Sequence, residues 1–159
     1  MKKILMNICL CSFMFGALPQ IPVLTGELAA KIAQESVRQC KNDGYAVSVT
    51  VVDNKGEILA VARSEESAPH TIQASFKKAY TATSMKNSTA NIAQNIAEGK
   101  ASEGLIKLND NFVFLGGGLP IKFDDIVVGG VGVGGAPGGH LDEKCAQVGI
   151  DSIQMFLGE

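Results

Sequence analysis

Residues 45–63, YAVSVTVVDNKGEILAVAR, show the clearest structural pattern in the chain. A stretch rich in β-branched residues precedes the turn sequence DNKG, and a returning apolar stretch follows it. β-Branched residues favour strands, and Gly56 permits the positive φ that a tight turn needs. We therefore predict a hairpin of two antiparallel strands, over residues 45–53 and 57–63.

The rest of the chain shows helical and strand patterns on both sides of this hairpin. Apolar residues repeat with helical spacing over residues 25–42, 70–85, 87–98 and 141–157. Short apolar stretches predict three more strands, over residues 112–115, 119–123 and 126–133. We therefore expect a single α+β domain in which helices flank a five-stranded antiparallel sheet.

The length of 159 residues and the composition fit one globular domain with a buried core. Hydrophobic residues make up 46% of the chain and charged residues 19%, which excludes a disordered tail. The net charge of −2 gives no basis for a nucleic-acid partner. The aromatic content of 6%, without tryptophan, does not favour a stacking surface for single strands either.

Residues 1–20 have the pattern of a secretory signal peptide. Two lysines form a basic start, residues 4–18 are mostly apolar, and small residues stand near the end. The apolar stretch is shorter than the roughly 20 residues of a membrane-spanning helix, so we do not expect an integral membrane protein. We expect export to the periplasm or the extracellular space, with residues 24–158 as the single domain. The alternative is that this segment is a strand or core helix of the fold.

Four cysteines are present, and two of them, Cys9 and Cys11, lie in the predicted signal peptide. Cys40 and Cys145 remain, each at an apolar position of a predicted helix. Exported proteins can keep disulfides, and a bridge is the alternative here. We expect two buried free thiols, because free cysteine behaves as a small buried hydrophobe. The spacing of the cysteines does not indicate a zinc site.

Ten of the 18 glycines lie between residues 116 and 139. Gly130, Gly132 and Gly135 match the spacing GxGxxG, but the helix that follows runs to the chain end, so no second parallel strand completes a dinucleotide-binding unit. A strand with so many glycines has little side-chain bulk. We predict that a helix, a second subunit or a flat ligand packs closely against it.

His70 and His140 both stand at predicted helix starts, where the helix dipole disfavours positive charge. Both imidazoles are therefore expected to be neutral and able to ligate a metal ion; the alternative for each is an exposed loop residue. Lys77 lies on the same helix face as His70, where it either meets a ligand carboxylate or is solvated. No nucleophile or paired-carboxylate pattern is found, so an enzyme is not favoured.

Six short motifs occur in a fixed order along the chain. They are APHT at 68–71, KAYTA at 78–82, GGGLPI at 116–121, VGGVGV at 128–133, GAPGG at 135–139 and DEKCA at 142–146. With these motifs the chain resembles the GlcG/HbpS family of haem-binding proteins and the C-terminal module of PduO-type proteins. The resemblance covers about residues 24–157.

The resemblance implies a profilin-like three-layer fold and assembly into homo-oligomers, which are octamers in many relatives. It also implies haem as a cofactor, with roles in haem sensing, storage, uptake or slow degradation. His70 falls on the family's Pro-His-Thr position and is therefore the expected iron ligand. In this interpretation Phe76, Phe112 or Phe114 covers the porphyrin, and Lys77 is the cation nearest to a ligand carboxylate.

The sequence departs from the commonest family pattern at two places. Residues 75–77 are Ser-Phe-Lys where Ala-Arg-Arg is frequent, which removes the usual arginines, and Gly134 stands where serine is common. Two alternatives to haem binding follow from the same residues. One is an accessory protein or enzyme that acts on a small hydroxy acid or a corrinoid, and the other is a structural oligomer without a ligand.

Overall fold

The structure, a computed structural model, describes residues 20–157. The predicted signal peptide, with Cys9 and Cys11, lies outside the described residues except for Gln20. Within this range the elements are α1 (Gly26–Asn42), β1 (Ser48–Asp53), β2 (Ile58–Arg63), α2 (His70–Met85), α3 (Thr89–Ala97), β3 (Gly118–Phe123), β4 (Ile126–Gly134) and α4 (Gly139–Asp151). Short 3-10 helices lie at Glu103–Lys107 and Gln154–Phe156. None of the helices in this range is long and apolar enough to cross a membrane.

The helices form where the apolar periodicity predicts them, with small differences at their ends. The Thr25 hydroxyl accepts the N–H of Leu28 and caps α1 as its position suggests. Helix α3 is capped by Ser88, whose hydroxyl accepts the N–H of Asn91. Helix α4 ends at Asp151, and the chain then continues as a short 3-10 turn.

The sheet has the strand order β2–β1–β4–β3, and all neighbouring strands pair antiparallel. Helix α2 packs on one face, against β1, β3 and β4, while α1 and α4 pack together on the other face. The three layers are therefore α2, the sheet, and the α1–α4 pair. The predicted α+β class is confirmed.

The predicted five-stranded sheet is wrong, because the described chain has four strands. Residues 112–115 do not form the expected strand and instead run as an irregular segment beside α2. The N–H of Val113 donates to the Thr81 hydroxyl at 3.0 Å, and the Phe112 and Tyr80 rings lie 5.9 Å apart. This segment finds its hydrogen-bond and aromatic partners on a helix, so it does not pair with the sheet edge.

The main apolar core lies between the sheet and the α1–α4 pair. Alternate residues of β1, Val49 and Val51 among them, point into it and are fully buried. Cys40 of α1 and Cys145 of α4 form a disulfide in this core, so the expectation of two free thiols is wrong. Helical periodicity places both residues in the core, but it carries no information on whether two buried thiols from different helices face each other.

The face of the sheet under α2 is built from glycines and hydroxyl side chains. A Cβ on Gly132 would collide with the carbonyl of Ser75, and one on Gly130 would lie 2.7 Å from the carbonyl of Ala79. The group that packs closely on the glycine-rich strand is therefore a helix of the same chain. Beside it, Thr50 of β1 and Ser75 of α2 form a buried hydroxyl pair at 2.8 Å.

Candidate functional site

A cleft of about 340 Å³ lies beside the first turns of α2. One wall is the start of this helix, with His70, Thr71 and Ala74. The other walls are glycine-rich chain segments, at residues 115–116 and 134–139, so most of the cleft surface is backbone, small residues and Leu115. This volume falls at the lower end of the roughly 300–1,000 Å³ typical of small-molecule sites.

The glycines of the walls are required by close contacts between backbones. Gly116 and Gly139 lie against each other, and a Cβ on Gly139 would stand 2.7 Å from the Cα of Gly116. Gly135 has a φ of +135° and leaves no room for a Cβ beside the carbonyl of Ala46. The sequence therefore forms the cleft walls from bare backbone, because side chains would fill or distort them.

A buried ion pair forms the floor of the cleft. Lys78 Nζ of α2 and Asp142 Oδ2 of α4 are 2.8 Å apart, and the two side chains are 7% and 3% exposed. Lys78 Nζ also donates to the carbonyl of Val133 at 2.9 Å, and Asp142 Oδ1 accepts the N–H of Ala136 at 3.1 Å. Burial raises the pKa of the Asp142 carboxyl, and its hydrogen bond with Lys78 opposes that rise.

Neither member of this pair is predicted from the sequence as a site residue. In the sequence both residues stand out only as members of motifs, Lys78 in KAYTA and Asp142 in DEKCA, without a role of their own. One signal was present: Lys78 falls on the same helix face as Ser75, Ala79 and Ala82, which are small residues typical of a closely packed surface. A lysine on such a face needs a buried acidic partner.

The structure brings His70 to the rim of the cleft. It is the first residue of α2, it is exposed, and its neighbour Pro69 provides no side-chain cap. The cleft thus opens next to this imidazole, and the role of His70 as an iron ligand stays a prediction. His140 is also exposed, but its ring lies over Gly138 and it is not a lining residue of the cleft.

The predicted aromatic residues lie away from the cleft, on α2 and on the segment of residues 112–115 beside it. Phe76, Tyr80, Phe112 and Phe114 form a continuous row in which neighbouring ring centroids are 5.9, 5.9 and 6.0 Å apart. We call these four residues the aromatic row; its members are half-buried and none lines the cleft. Lys77 is half-buried and does not line the cleft either. The structure thus separates His70 from the other four predicted site residues.

Among residues 20–157, no group of three or more histidine, cysteine, aspartate or glutamate side chains is arranged to hold a metal ion. A metal that binds at His70 would therefore have to bring most of its own ligands. A metal inside a macrocycle meets this condition, because the ring nitrogens surround it.

Together, the fold and the cleft define a class of small three-layer α+β domains in which a glycine-walled cleft lies beside a helix-start histidine. The family model described as "Haem degrading protein HbpS-like" matches residues 24–151. The chain belongs to this HbpS-like family, in agreement with the resemblance of its motifs.

Known proteins of the family share both the sequence and the fold. Protein GlcG of Escherichia coli K12 is 28% identical over 111 residues, which is 70% of this chain and 81% of GlcG. A double mutant of Streptomyces reticuli HbpS has 36% identity and a TM-score of 0.79, with 87% of this chain and 92% of that chain covered. The structure of a PduOC–haem complex has 27% identity and a TM-score of 0.77, with 84% of this chain and 96% of that chain covered.

Proposed function

We propose that this protein binds haem at the cleft and that His70 ligates the iron. The observation that carries the proposal is the position of His70: an exposed imidazole at the rim of a cleft with bare backbone walls. The solved PduOC–haem complex, which has the same fold, supports haem as the ligand. A neutral imidazole at a helix start is a suitable iron ligand.

The residues present fit a haem group in their chemistry. Ala74, Leu115 and Pro137 give the cleft apolar surface for a macrocycle. Helix α4 begins at Gly139 without a side-chain cap, so its first N–H groups suit a propionate carboxylate. Lys78 is already paired with Asp142 and does not serve this purpose.

A bound haem would supply one-electron redox chemistry and strong visible absorption. The chain's own residues would bind it, fix its orientation and shield one side from water. Since the charged groups at the cleft, Lys78 and Asp142, are buried and paired with each other, we propose a binding role, in haem sensing, storage or uptake, in preference to an enzymatic one.

We propose further that the protein is exported and assembles into a homo-oligomer, an octamer as the family resemblance implies. The cleft is smaller than a porphyrin with its propionates, so one chain encloses only part of the ring and a second copy would cover the rest. The disulfide between Cys40 and Cys145 suits an oxidising compartment, in agreement with a signal peptide and a periplasmic or extracellular location. Native mass and N-terminal sequencing of the secreted protein test these two points.

Titration of the purified protein with haem tests the central proposal. We expect a sharp Soret band that His70→Ala weakens strongly, because removal of the iron ligand leaves only the contacts to the ring and its propionates. His140→Ala is the matched control, since His140 is an exposed helix-start histidine outside the cleft. An identical spectrum and affinity for His70→Ala and the unmodified protein would remove His70 from the site. Absence of any Soret change in the unmodified protein would refute haem binding.

A further inference from the structure

The floor of the cleft contains charged groups that the proposed haem binding does not use. Lys78 and Asp142 are both more than nine-tenths buried. Desolvation of a buried ion pair offsets most of its attraction, and apolar replacements are often as stable. Stability alone therefore does not explain the pair. Its location suggests another role, because it lies where the walls of the cleft meet.

The two oxygens of Asp142 have different partners. Oδ2 accepts from Lys78 Nζ, and Oδ1 accepts the N–H of Ala136 at 3.1 Å, in the middle of residues 134–139. Lys78 Nζ also donates to Val133, the residue that precedes this loop. One ion pair thus connects the loop at residues 134–139 to two helices. Lys78 links the start of the loop to α2, and Asp142 links its centre to α4.

The opposite wall, at residues 115–116, continues into Gly117, which contacts the Lys78–Asp142 pair. A Cβ on Gly117, whose φ is +121°, would stand 2.7 Å from Lys78 Nζ and 2.8 Å from the Cβ of Asp142. The next residue of α4, Glu143, accepts the N–H of Gly117 at 3.4 Å. Consecutive carboxylates of α4 therefore contact both glycine-rich walls of the cleft, beside the backbone hydrogen bond in which the N–H of Val133 donates to the carbonyl of Gly117 at 2.8 Å.

We infer that Asp142, supported by Lys78, is a positioning residue that holds residues 134–139 in the conformation that forms the cleft. The conformation of the loop is a property of the ligand-free protein. The consequence for haem affinity rests on the proposed function. These two parts are therefore measured separately.

Two variants and one control separate loop position from overall stability. In Asp142→Asn one of the two accepting oxygens becomes an NH2 donor, so Lys78 and Ala136 no longer each have an oxygen of their own. The variant also leaves the Lys78 ammonium without a carboxylate and destabilises the whole domain. The double variant Lys78→Met/Asp142→Leu removes both charges while it keeps apolar volume. Lys144→Met is the control, because Lys144 lies on the same helix but forms an exposed ion pair with Asp43.

Amide hydrogen exchange is measured first, on the ligand-free proteins. In the double variant we expect exchange over residues 134–139 to become about tenfold faster, which corresponds to loss of one hydrogen bond to a charged group. Exchange in β1 should stay at the value of the unmodified protein, and Asp142→Asn should accelerate the same loop. Unchanged exchange over residues 134–139 in both variants would overturn the positioning role.

Haem titration of the same proteins is the second measurement. We expect the dissociation constant of the double variant to rise about tenfold while the Soret position stays the same, since His70 is intact. Faster loop exchange with unchanged affinity would overturn the link to the ligand. If the unmodified protein binds no haem, the proposed function fails, and the exchange data still decide the role of Asp142.

Discussion

Replacement of Gly132 by alanine tests the close approach of β4 and α2. The added Cβ would collide with the Ser75 carbonyl, and it would lie 2.5 Å from the Ala79 nitrogen and 3.0 Å from the Cβ of Lys78. Ordinary contacts begin at 3.4 Å, so the helix must move away from the sheet by about 1 Å. The obstructing atoms are mostly backbone, which a rotamer change cannot remove.

The expected cost follows from this displacement. A gap of about 0.5–1 Å removes a quarter to a half of the van der Waals energy of each contact along the interface. Overpacking of this kind typically costs about 1–3 kcal/mol, and we expect about 3 kcal/mol because the neighbours are backbone atoms. For a domain of this size that lowers the melting temperature by about 10 °C.

Urea and thermal unfolding measure this change. Gly26→Ala is the matched control, because a Cβ at the start of α1 has nothing within 4 Å; it should be neutral or slightly stabilising. A loss below about 0.5 kcal/mol for Gly132→Ala, the size of an ordinary surface change, would refute direct contact between α2 and the glycines of β4.

Three further predictions concern the disulfide, the buried carboxyl and the hydroxyl pair. Cys40→Ala/Cys145→Ala should lower the free energy of unfolding by about 2–4 kcal/mol, because the bridge closes a span of 105 residues; equal urea midpoints for the variant and the oxidised parent would contradict this. Burial raises the pKa of Asp142 above its ordinary 3.8, so the folded state holds the proton more tightly than the unfolded state does. The contribution of this carboxyl to stability is therefore complete below pH 3.8 and is lost as the pH rises through the raised pKa. Between these two pH values the stability of the unmodified protein relative to Asp142→Asn should fall. A constant difference would show that Asp142 does not titrate there. Thr50→Val should cost about 1 kcal/mol or less in urea unfolding, because the Ser75 hydroxyl keeps a second partner in the backbone of α2, and a loss above about 2 kcal/mol would mean that this partner does not compensate.

Local patterns account for the parts of the fold that the sequence predicts. The hairpin at residues 45–63 forms because its turn and both strands are contiguous in the chain. Residues 112–115 were assigned wrongly because a four-residue apolar run has no period long enough to identify a strand. The contact with Thr81 that fixes this segment lies 32 residues away in sequence, and no local signal reports it.

At the candidate site, too, local features are predictable from the sequence, and contacts between distant residues are not. His70 is identifiable from sequence because its neighbours Pro69 and Thr71 form a recognisable motif and the helix start is local. The partner of Lys78 is 64 residues away, so only the packed structure brings it to Asp142. Phe76, Phe112 and Phe114, which we expect over the porphyrin, pack with Tyr80 in the aromatic row, and their role at a ligand stays a prediction.

The glycines of β4 connect the fold to the cleft. Because Gly130 and Gly132 lack side chains, the backbone of α2 lies against β4, and Lys78 reaches the carbonyl of Val133 in the same strand. Bulkier residues in β4 would move the helix outward and take its ammonium away from both the strand and Asp142. The position of the cleft floor therefore depends on the glycines beneath α2 as much as on the charges themselves. Gly132→Ala should accordingly accelerate hydrogen exchange over residues 134–139 more than in α1, since the displaced helix moves one end of the ion pair that holds this loop.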